Sequence, residues 1–189
     1  TTPGEGVALG PAVWSVGGRY VNKQIKRVIE DFGVFGNPDD PLELTGYIIG
    51  NPGEGTFGAP FEKPKRKYQA IELSVTRAPM NNWQLNASFV YAKAEGNYEG
   101  LYLSGYEQLD PNITAYYDIP SMLNNAYGKM RSDKPYQFKV FSAYTLPFGM
   151  TVSEAFFYSA GVPIDMRGPE IYNGYSDGNI FFKPRGSAG

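Results

Sequence analysis

The chain has 189 residues, of which 42% are hydrophobic and 15% aromatic, and its formal net charge is −2. A slightly negative net charge does not indicate a nucleic-acid-binding surface. Cysteine and histidine are both absent, which excludes thiol chemistry, Cys/His zinc sites and histidine acid–base catalysis. No run of about 18 apolar residues predicts a spanning helix. Any membrane crossing by this chain would therefore use β-strands.

The N-terminal part predicts coil followed by one long strand. Residues 1–11 are rich in glycine and proline and indicate coil. Within residues 12–29, Trp14, Val16 and Tyr20 are separated by even numbers of positions, so they share one face of an extended strand. This alternation favours a strand, with a helix over the basic end as the alternative.

The segment 32–66 is again rich in glycine and proline and predicts a loop. It contains a GxGxxG pattern at 53–58 that neither follows a strand nor opens a helix, so we interpret it as loop and expect no cofactor. The basic run 63–67 predicts a solvated strand entrance, with anionic lipid headgroups as an alternative partner.

Residues 68–95 contain the clearest pattern in the chain. Apolar and polar residues alternate strictly over 68–77 and again over 83–95, on either side of a Pro/Asn-rich break at 78–82. Two alternating runs around a short turn predict an antiparallel hairpin. The second run places Trp83, Leu85, Ala87, Phe89 and Tyr91 on one face.

Trp83 and Tyr91 stand at the two ends of this apolar face, eight residues apart. At about 3.3 Å per residue and a tilt of ~40°, they are roughly 20 Å apart along the barrel axis. That distance is close to the ~25 Å apolar band and aromatic girdles of an outer-membrane barrel. A soluble sandwich whose core face ends in aromatic residues produces the same pattern, so the hairpin alone leaves both alternatives open.

A second hairpin is predicted over 136–146 and 150–160, joined by a tight turn at 147–149. Tyr136 and Tyr144 repeat the eight-residue spacing. With Trp83 and Tyr91 they form the predicted lipid-interface girdle.

Glu154 falls on the apolar face of the return strand together with Val152, Phe156 and Tyr158. A carboxylate facing mid-bilayer lipid is unfavourable. Either a bulge resets the register at this point, or the membrane interpretation is wrong locally.

The segment 97–134 is long and irregular, and its tyrosines follow no single period. We predict that it forms a recognition surface, because tyrosine offers contact area and a hydroxyl at low entropic cost. The alternative is that the rings pack the loop on itself and on residues 32–66. The candidate contact residues are Tyr98, Tyr102, Tyr106, Tyr116 and Tyr117.

The connections distinguish the two architectures better than any strand does. Long segments at 32–66 and 97–134 alternate with tight turns, and a Gly/Pro/Asp-rich tail with a short strand at 179–183 follows. Long structureless loops are uncommon in compact soluble domains, whereas outer-membrane barrels have long outer loops and short periplasmic turns. The predicted fold is all-β, with antiparallel up-and-down strands forming part of a large transmembrane outer-membrane β-barrel.

This fold assigns the strand residues to two environments. Lipid-facing residues are predicted to be Trp83, Leu85, Phe89, Tyr91, Phe138, Val140 and Tyr144. Lumen-facing residues are predicted to be Gln84, Asn86, Ser88, Gln137 and Lys139.

Several strings resemble the C-terminal half of TonB-dependent receptors, in particular the Oar-like outer-membrane group. The strings are 47–53 (YIIGNPG), 96–101 (GNYEGL), 110–118 (DPNITAYYD), 134–139 (KPYQFK), 144–149 (YTLPFG), 159–164 (SAGVPI) and 184–187 (PRGS). Their order and spacing over residues 12–189 carry the resemblance. At Tyr136 the family usually has histidine.

The resemblance implies a barrel of about 22 strands with a plug domain, located in the bacterial outer membrane and driven through TonB. We expect residues 1–189 to be a segment of that barrel, without plug, TonB box or terminal strands. The expected partners are outer-membrane lipid and lipopolysaccharide, the remaining barrel and plug, and the TonB system. The expected function is a receptor or transporter wall with ligand-recognition loops.

Three other function classes remain as alternatives. A non-transporting surface adhesin, or a structural subunit of a larger complex, would have the same strands. A soluble carbohydrate-binding sandwich would use its tyrosines as stacking platforms, but the loop lengths disfavour it. No nucleophile–base pair or metal-ligand cluster is legible, so no catalytic or metal site is predicted, and we expect no enzyme.

Overall fold

The computed structural model describes residues 7–9, 12–37, 43–55, 61–100, 102, 115–169 and 179–189. The strands are β1 (Val7–Leu9), β2 (Ala12–Ile25), β3 (Glu30–Phe35), β4 (Leu44–Gly50), β5 (Arg66–Met80), β6 (Trp83–Gly96), β7 (Gly128–Lys129), β8 (Tyr136–Thr145), β9 (Thr151–Ser159), β10 (Arg167–Pro169) and β11 (Asn179–Phe181). Short 3₁₀ turns form at Ala115–Tyr117 and Pro120–Leu123. In the part of the chain that is described, no helix is long and apolar enough to cross a membrane.

The chain divides into two compact units, which we call the sheet module and the loop module. The sheet module comprises Thr1–Asn22, Tyr68–Lys93 and Lys134–Gly161. The loop module comprises Lys23–Lys67, Ala94–Asp133 and Val162–Gly189. Each module therefore draws on three separate stretches of sequence.

The main sheet has the strand order β1-β2-β5-β6-β8-β9, and β7 pairs with the end of β6. Strand β1 pairs antiparallel with β2, which corrects the expected coil over residues 1–11. The long strand predicted over 12–29 is present as β2, and no helix forms at its basic end. The prediction of antiparallel up-and-down strands is confirmed.

The hairpin of β5 and β6 turns through only two residues. Asn81 and Asn82 have φ angles of 52° and 63°, and β5 continues through Met80 instead of ending near residue 77. Two consecutive left-handed residues are typical of the type I′ turn, whose twist matches that of the flanking strands. Asparagine tolerates this backbone conformation better than most residues.

The hairpin of β8 and β9 agrees with the prediction for 136–146 and 150–160. The two strands pair antiparallel without a break from Gln137↔Ser159 to Thr145↔Thr151. Gly149, with φ 92°, supplies the left-handed residue of the turn, and its amide donates to the Leu146 carbonyl. Both predicted hairpins are confirmed.

The prediction of loop over all of 32–66 is wrong. Strand β3, of six residues, and strand β4, of seven, pair antiparallel as a hairpin there. Their register shifts between Val34 and Phe35. Both strands are short and contain glycine, so their β-branched and aromatic residues give only a weak local signal.

The loop module folds around an aromatic core. Its buried residues are Phe32, Phe35, Phe61, Tyr98, Tyr116, Tyr117, Ile119, Met122, Leu123, Ala126 and Phe181. Strand β11 pairs with β10, which confirms a short strand in the tail. Asn97 joins two segments of the module, because its Oδ1 accepts from the Lys65 amide at 2.7 Å and its Nδ2 donates to the Lys63 carbonyl at 3.1 Å.

Gly96 allows these two segments to approach closely. A Cβ at this position would lie 2.2 Å from the Lys65 carbonyl oxygen. No other residue fits without moving the backbone.

Candidate functional site

The register of β6, β8 and β9 sorts their side chains into two faces, because directly opposed residues share a face. We call one the aromatic face; it contains Trp83, Leu85, Ala87, Phe89 and Tyr91 of β6, Tyr136, Phe138, Val140, Ser142 and Tyr144 of β8, and Val152, Glu154, Phe156 and Tyr158 of β9. We call the other the polar face; it contains Gln84, Asn86, Ser88, Val90, Gln137, Lys139, Phe141, Ala143, Ser153, Ala155, Phe157 and Ser159. The seven residues predicted to face lipid all lie on the aromatic face.

The four predicted girdle residues form two cross-strand pairs on this face. Trp83 lies opposite Tyr144, and Tyr91 lies opposite Tyr136. The rings of Tyr91 and Tyr136 are 5.4 Å apart between centroids. The eight-residue spacing therefore produces two aromatic rows, one near each end of β8.

Arg77 lies between two tryptophans near the β5–β6 turn. Its guanidinium is 4.5 Å from the Trp83 ring centroid and 5.9 Å from that of Trp14. Its Nη1 donates to the Met80 carbonyl at 2.9 Å and also to the Trp83 carbonyl. The arginine thus closes the turn and fixes both indole rings. It is only 7% exposed, and the alternation of β5 did not predict this role.

Glu154 remains on the aromatic face because no bulge resets the register of β9. It lies directly opposite Ser142, and the pairing on both sides of it is continuous. Ser142 in turn accepts a hydrogen bond from the Trp83 indole nitrogen at 3.0 Å. Glu154 therefore belongs to a small polar group next to the Trp83–Tyr144 row.

The polar face contains one aromatic pair that the alternation did not single out. Phe141 and Phe157 meet edge to face, with their ring centroids 5.2 Å apart. Both side chains are exposed. Gln84, Asn86, Ser88, Gln137 and Lys139 lie on this face, where they were predicted to point into the lumen.

The structure places three of the five candidate recognition tyrosines in the loop-module core. Tyr98, Tyr116 and Tyr117 are buried, with Tyr117 at 0% exposure. The Tyr117 ring lies 5.8 Å from the Phe61 ring and 6.5 Å from the Tyr98 ring. These rings pack the loop on itself and on the 32–66 segment, which was the alternative interpretation. They offer no surface to a ligand in this conformation.

Tyr102 is the remaining described candidate, and it is 51% exposed. Tyr106 lies outside the described residues. Tyr127, which is not among the five candidates, is also exposed on the loop module. Tyr102 and Tyr127 therefore present a ring to solvent, as does Tyr47 of β4, which is 52% exposed.

Burial changes the titration of several groups in the loop module. Glu30 is 0% exposed, and this burial, with the neighbouring Asp31 carboxylate, raises the pKa of Glu30 to about 8. Burial also raises the pKa of Tyr98 and of Tyr117 above the usual range for tyrosine, and the charge of Glu30 adds to both shifts. A neutral Glu30 is the form that suits this interior.

Buried Arg185 and largely buried Arg167 connect the C-terminal segment to the rest of the loop module. Arg185 forms an ion pair with Glu99, and its guanidinium lies 5.4 Å from the Phe181 ring centroid. Arg167 is 3.9 Å from the same ring and 3.0 Å from Asp165. Burial, with the nearby Arg66 charge, lowers the pKa of Arg185 to about 10. Arg185 still remains charged at neutral pH.

The described residues contain no group of three or more Asp, Glu, His or Cys side chains that could hold a metal ion. The arrangement instead consists of an all-antiparallel sheet with an aromatic face and a loop module with its own core. Together these features define the class of antiparallel β-sheet proteins with long, structured connections.

The comparison with curated proteins found a relative of known class. The chain is 32% identical over 178 residues to the TonB-dependent transporter Oar of Myxococcus xanthus. The match includes 92% of this chain but only 16% of that protein. The resemblance to a TonB-dependent, Oar-like protein is thereby confirmed. The predicted fold class of antiparallel β-strands is confirmed as well, and the sheet agrees with a fragment of a β-barrel.

Two further comparisons found no relative. No family model matches the chain. No solved structure matches it either.

Proposed function

We propose that the chain is a wall segment of an outer-membrane TonB-dependent transporter, together with the extracellular connections of that segment. The observation that carries the proposal is 32% identity to such a transporter along 92% of this chain. The sheet supports it, because its aromatic face exposes large apolar side chains such as Phe156, which is 55% exposed. Extended apolar surface of this kind is typical of contact with a membrane or a protein.

In this proposal the aromatic face contacts lipid and the polar face lines the lumen. The rows Trp83–Tyr144 and Tyr91–Tyr136 lie at the two edges of the apolar band, where aromatic girdles lie in outer-membrane barrels. Glu154 lies close to the Trp83–Tyr144 row. Its carboxylate is therefore near an interface, where a charge costs much less than at the midplane.

The polar face then meets the inside of the barrel. The partners we propose there are the plug and the remaining wall of the same protein, with TonB acting through the plug. The exposed Phe141–Phe157 pair is the apolar part of this face. No part of this arrangement requires catalysis, and we propose a transporter segment, not an enzyme.

Ligand recognition is assigned to the exposed tyrosines of the loop module. Tyr102 and Tyr127 present their rings to solvent, whereas the buried tyrosines hold the module together. An exposed tyrosine combines a flat apolar ring with a hydroxyl donor, which suits sugars, peptides and siderophore-like ligands.

The proposal is tested on the full-length protein in its native cells. Membrane fractionation should place it in the outer membrane, and its band on gels should shift on heating, as a folded barrel does. Protease added to intact cells should cut within the loop-module connections but not at the β5–β6 or β8–β9 turns. Recovery in a soluble fraction, or cleavage at those turns from outside, would contradict the proposal.

A second measurement separates transport from a purely structural or adhesive role. The full-length protein should bind the purified periplasmic domain of TonB, and removal of its TonB-contacting segment should abolish this binding. An outer-membrane protein with the expected topology but no TonB binding would instead be the non-transporting surface protein.

A further inference from the structure

Positive charge is concentrated in two short segments of the loop module. Seven of the 17 lysine and arginine residues fall within 23–27 and 63–67, although the whole chain has a net charge of −2. The seven are Lys23, Lys26, Arg27, Lys63, Lys65, Arg66 and Lys67. The first segment spans the end of β2 and the second leads into β5. Because β2 and β5 are neighbours in the sheet, the two segments meet at one end of it.

Four of these cations line one cleft of about 140 Å³, namely Lys26, Lys65, Arg66 and Lys67. Glu95 is the one carboxylate among the lining residues, so the cleft has a clear positive excess. A phosphate group is small enough to enter a cleft of this volume. Converging ammonium and guanidinium groups are the donors that phosphate oxygens prefer.

The cations differ in how far they are already neutralised. Arg27 and Lys63 both pair with Glu54, at 3.5 Å and 3.3 Å. The side chains of Lys26, Lys65 and Lys67 form no ion pair with any carboxylate in the described ranges. Arg66 is oriented by donating from Nη1 to the Glu99 carbonyl at 2.6 Å. The three lysines are therefore available to an external anion.

The position of the cleft along β5 indicates where that anion is located. Lys67 and Arg77 lie ten residues apart in this strand, with Ile71, Leu73 and Val75 between them. At about 3.3 Å per residue and a tilt of ~40°, this corresponds to roughly 25 Å along the membrane normal, the height of an outer-membrane apolar band. The lysines therefore lie just beyond one edge of that band.

We propose that this cleft binds phosphate groups of lipopolysaccharide in the outer leaflet. The inference rests on the proposed membrane location of the segment. Charge complementarity supports it, and so does Ile25, an exposed aliphatic residue that lines the same cleft. An anchored lipid presents a phosphate and an acyl chain together, which matches a cationic cleft at the edge of an apolar surface. A soluble phosphate would match only the cations.

The test uses the full-length protein in detergent micelles and bisphosphorylated lipid A as the probe. Native mass spectrometry measures the fraction of protein molecules that carry lipid A as its concentration rises. In the triple variant Lys26→Gln, Lys65→Gln, Lys67→Gln, the lipid A concentration at half occupancy should rise at least about tenfold. The charge-preserving variant Lys26→Arg, Lys65→Arg, Lys67→Arg should bind as the wild type does.

The matched control neutralises three exposed cations elsewhere, as Arg131→Gln, Lys134→Gln, Lys183→Gln, and should leave binding unchanged. Equal weakening by both neutralised triples would overturn the proposal, because the effect would then come from overall charge. It would also be overturned if the lysine-to-glutamine triple bound normally, or if dephosphorylated lipid A bound as tightly as the bisphosphorylated form. Displacement of lipid A by millimolar inorganic phosphate would show a soluble-anion site instead.

Folding and location are checked separately. A heat-modifiable band shows that each variant is folded, and if the triple does not fold, the single variants Lys26→Gln and Lys67→Gln are titrated in its place. If the wild-type protein were absent from the outer membrane, the proposed function would fail whatever the titration showed. If it were present and the variants bound lipid A normally, only the lipopolysaccharide site would fail.

Discussion

The sheet module and the loop module use similar residues in opposite ways. In the sheet module, large apolar side chains such as Val16, Leu73 and Phe156 are exposed, and among its described residues the buried ones are Ala70, Ala92 and Arg77. In the loop module, Phe32 and Tyr117 belong to a closed aromatic core.

Burying such a side chain is worth about 1.5–3 kcal/mol. The loop module gains this free energy from its own packing. In the sheet module the same gain in free energy comes only from contact with an apolar environment outside the described chain. We propose that this environment is lipid.

The largest expected effect comes from opening the loop core. Tyr117→Ala removes a fully buried ring that contacts Phe61 and Tyr98, and should cost about 3–5 kcal/mol of module stability. Limited proteolysis should then cut the loop module readily, while the heat-modifiable band of the full-length barrel persists.

The matched control is Tyr117→Phe. The Tyr117 hydroxyl is buried without a hydrogen-bond partner among the described residues, so its removal should be neutral or slightly stabilising. Comparable protease sensitivity in both variants would show that the hydroxyl, not the ring, holds the module. Loss of the barrel band in Tyr117→Ala would show that the two modules do not fold as separate units.

The next effect tests the aromatic face. Ala87→Arg places a charge midway between the Trp83–Tyr144 and Tyr91–Tyr136 rows, near the proposed membrane midplane, and should cost about 2–4 kcal/mol. Unfolding of the full-length protein by urea in phospholipid bilayers measures the loss. Asn86→Arg, on the polar face beside Phe141, is the control and should change stability by well under half as much. Equal tolerance of the two arginines would argue against lipid on the aromatic face.

Glu30 gives the loop module a pH dependence that the sheet module should lack. Its pKa rises from 4.5 to about 8 in the folded protein, so folding favours the protonated form. The stabilisation is fully present below about pH 4.5 and is lost as the pH rises through 8, at up to about 1.4 kcal/mol per pH unit.

This profile is measured by proteolysis of the loop module between pH 5 and 9. Glu30→Gln mimics the neutral form and should flatten the profile and stabilise the module at pH 8. Glu43→Gln changes an exposed carboxylate just before β4 and should leave the profile as it is. A wild-type module that grows more resistant with rising pH would contradict the assignment.

The smallest effect concerns the β5–β6 turn. Asn82 has a φ of 63°, and alanine pays about 1 kcal/mol more than asparagine or glycine in this conformation. Asn82→Ala should lower the urea midpoint slightly, whereas Asn82→Gly should not. If Asn82→Ala left the midpoint unchanged, the left-handed turn would not be a constraint on the hairpin.

The sheet module could be predicted from the sequence because its information is local. Alternation at period 2 is visible within each strand, and a tight turn joins each hairpin, so both hairpins follow directly. The pairing of Trp83 with Tyr144 does not, because it joins β6 to β8 across the long segment 97–134. The continuous register around Glu154 was the open point. Its pairing with Ser142 shows that an isolated carboxylate on an apolar face need not indicate a bulge.

The loop module could not be predicted in the same way, because its core is assembled from distant segments. Phe32, Phe61, Tyr98 and Tyr117 meet only in the fold, across sequence separations of about 20 residues or more. Their positions follow no single period. Tyr98, Tyr116 and Tyr117 therefore look like surface tyrosines in the sequence, whereas long-range packing places them inside.

The most direct test of the central claim, that the aromatic face contacts lipid, is a spin-label scan along β6. The 189 residues contain no cysteine; with any cysteine elsewhere in the full-length protein replaced by serine, single cysteines at positions 84 to 90 are labelled in bilayers. Collision rates with oxygen, which dissolves in lipid, and with a water-soluble nickel complex should alternate with period 2. The account predicts high oxygen collision at 85, 87 and 89, and high nickel collision at 84, 86 and 88. Labels at 85, 87 and 89 that were shielded from both reagents would contradict it, because that face would then pack against protein.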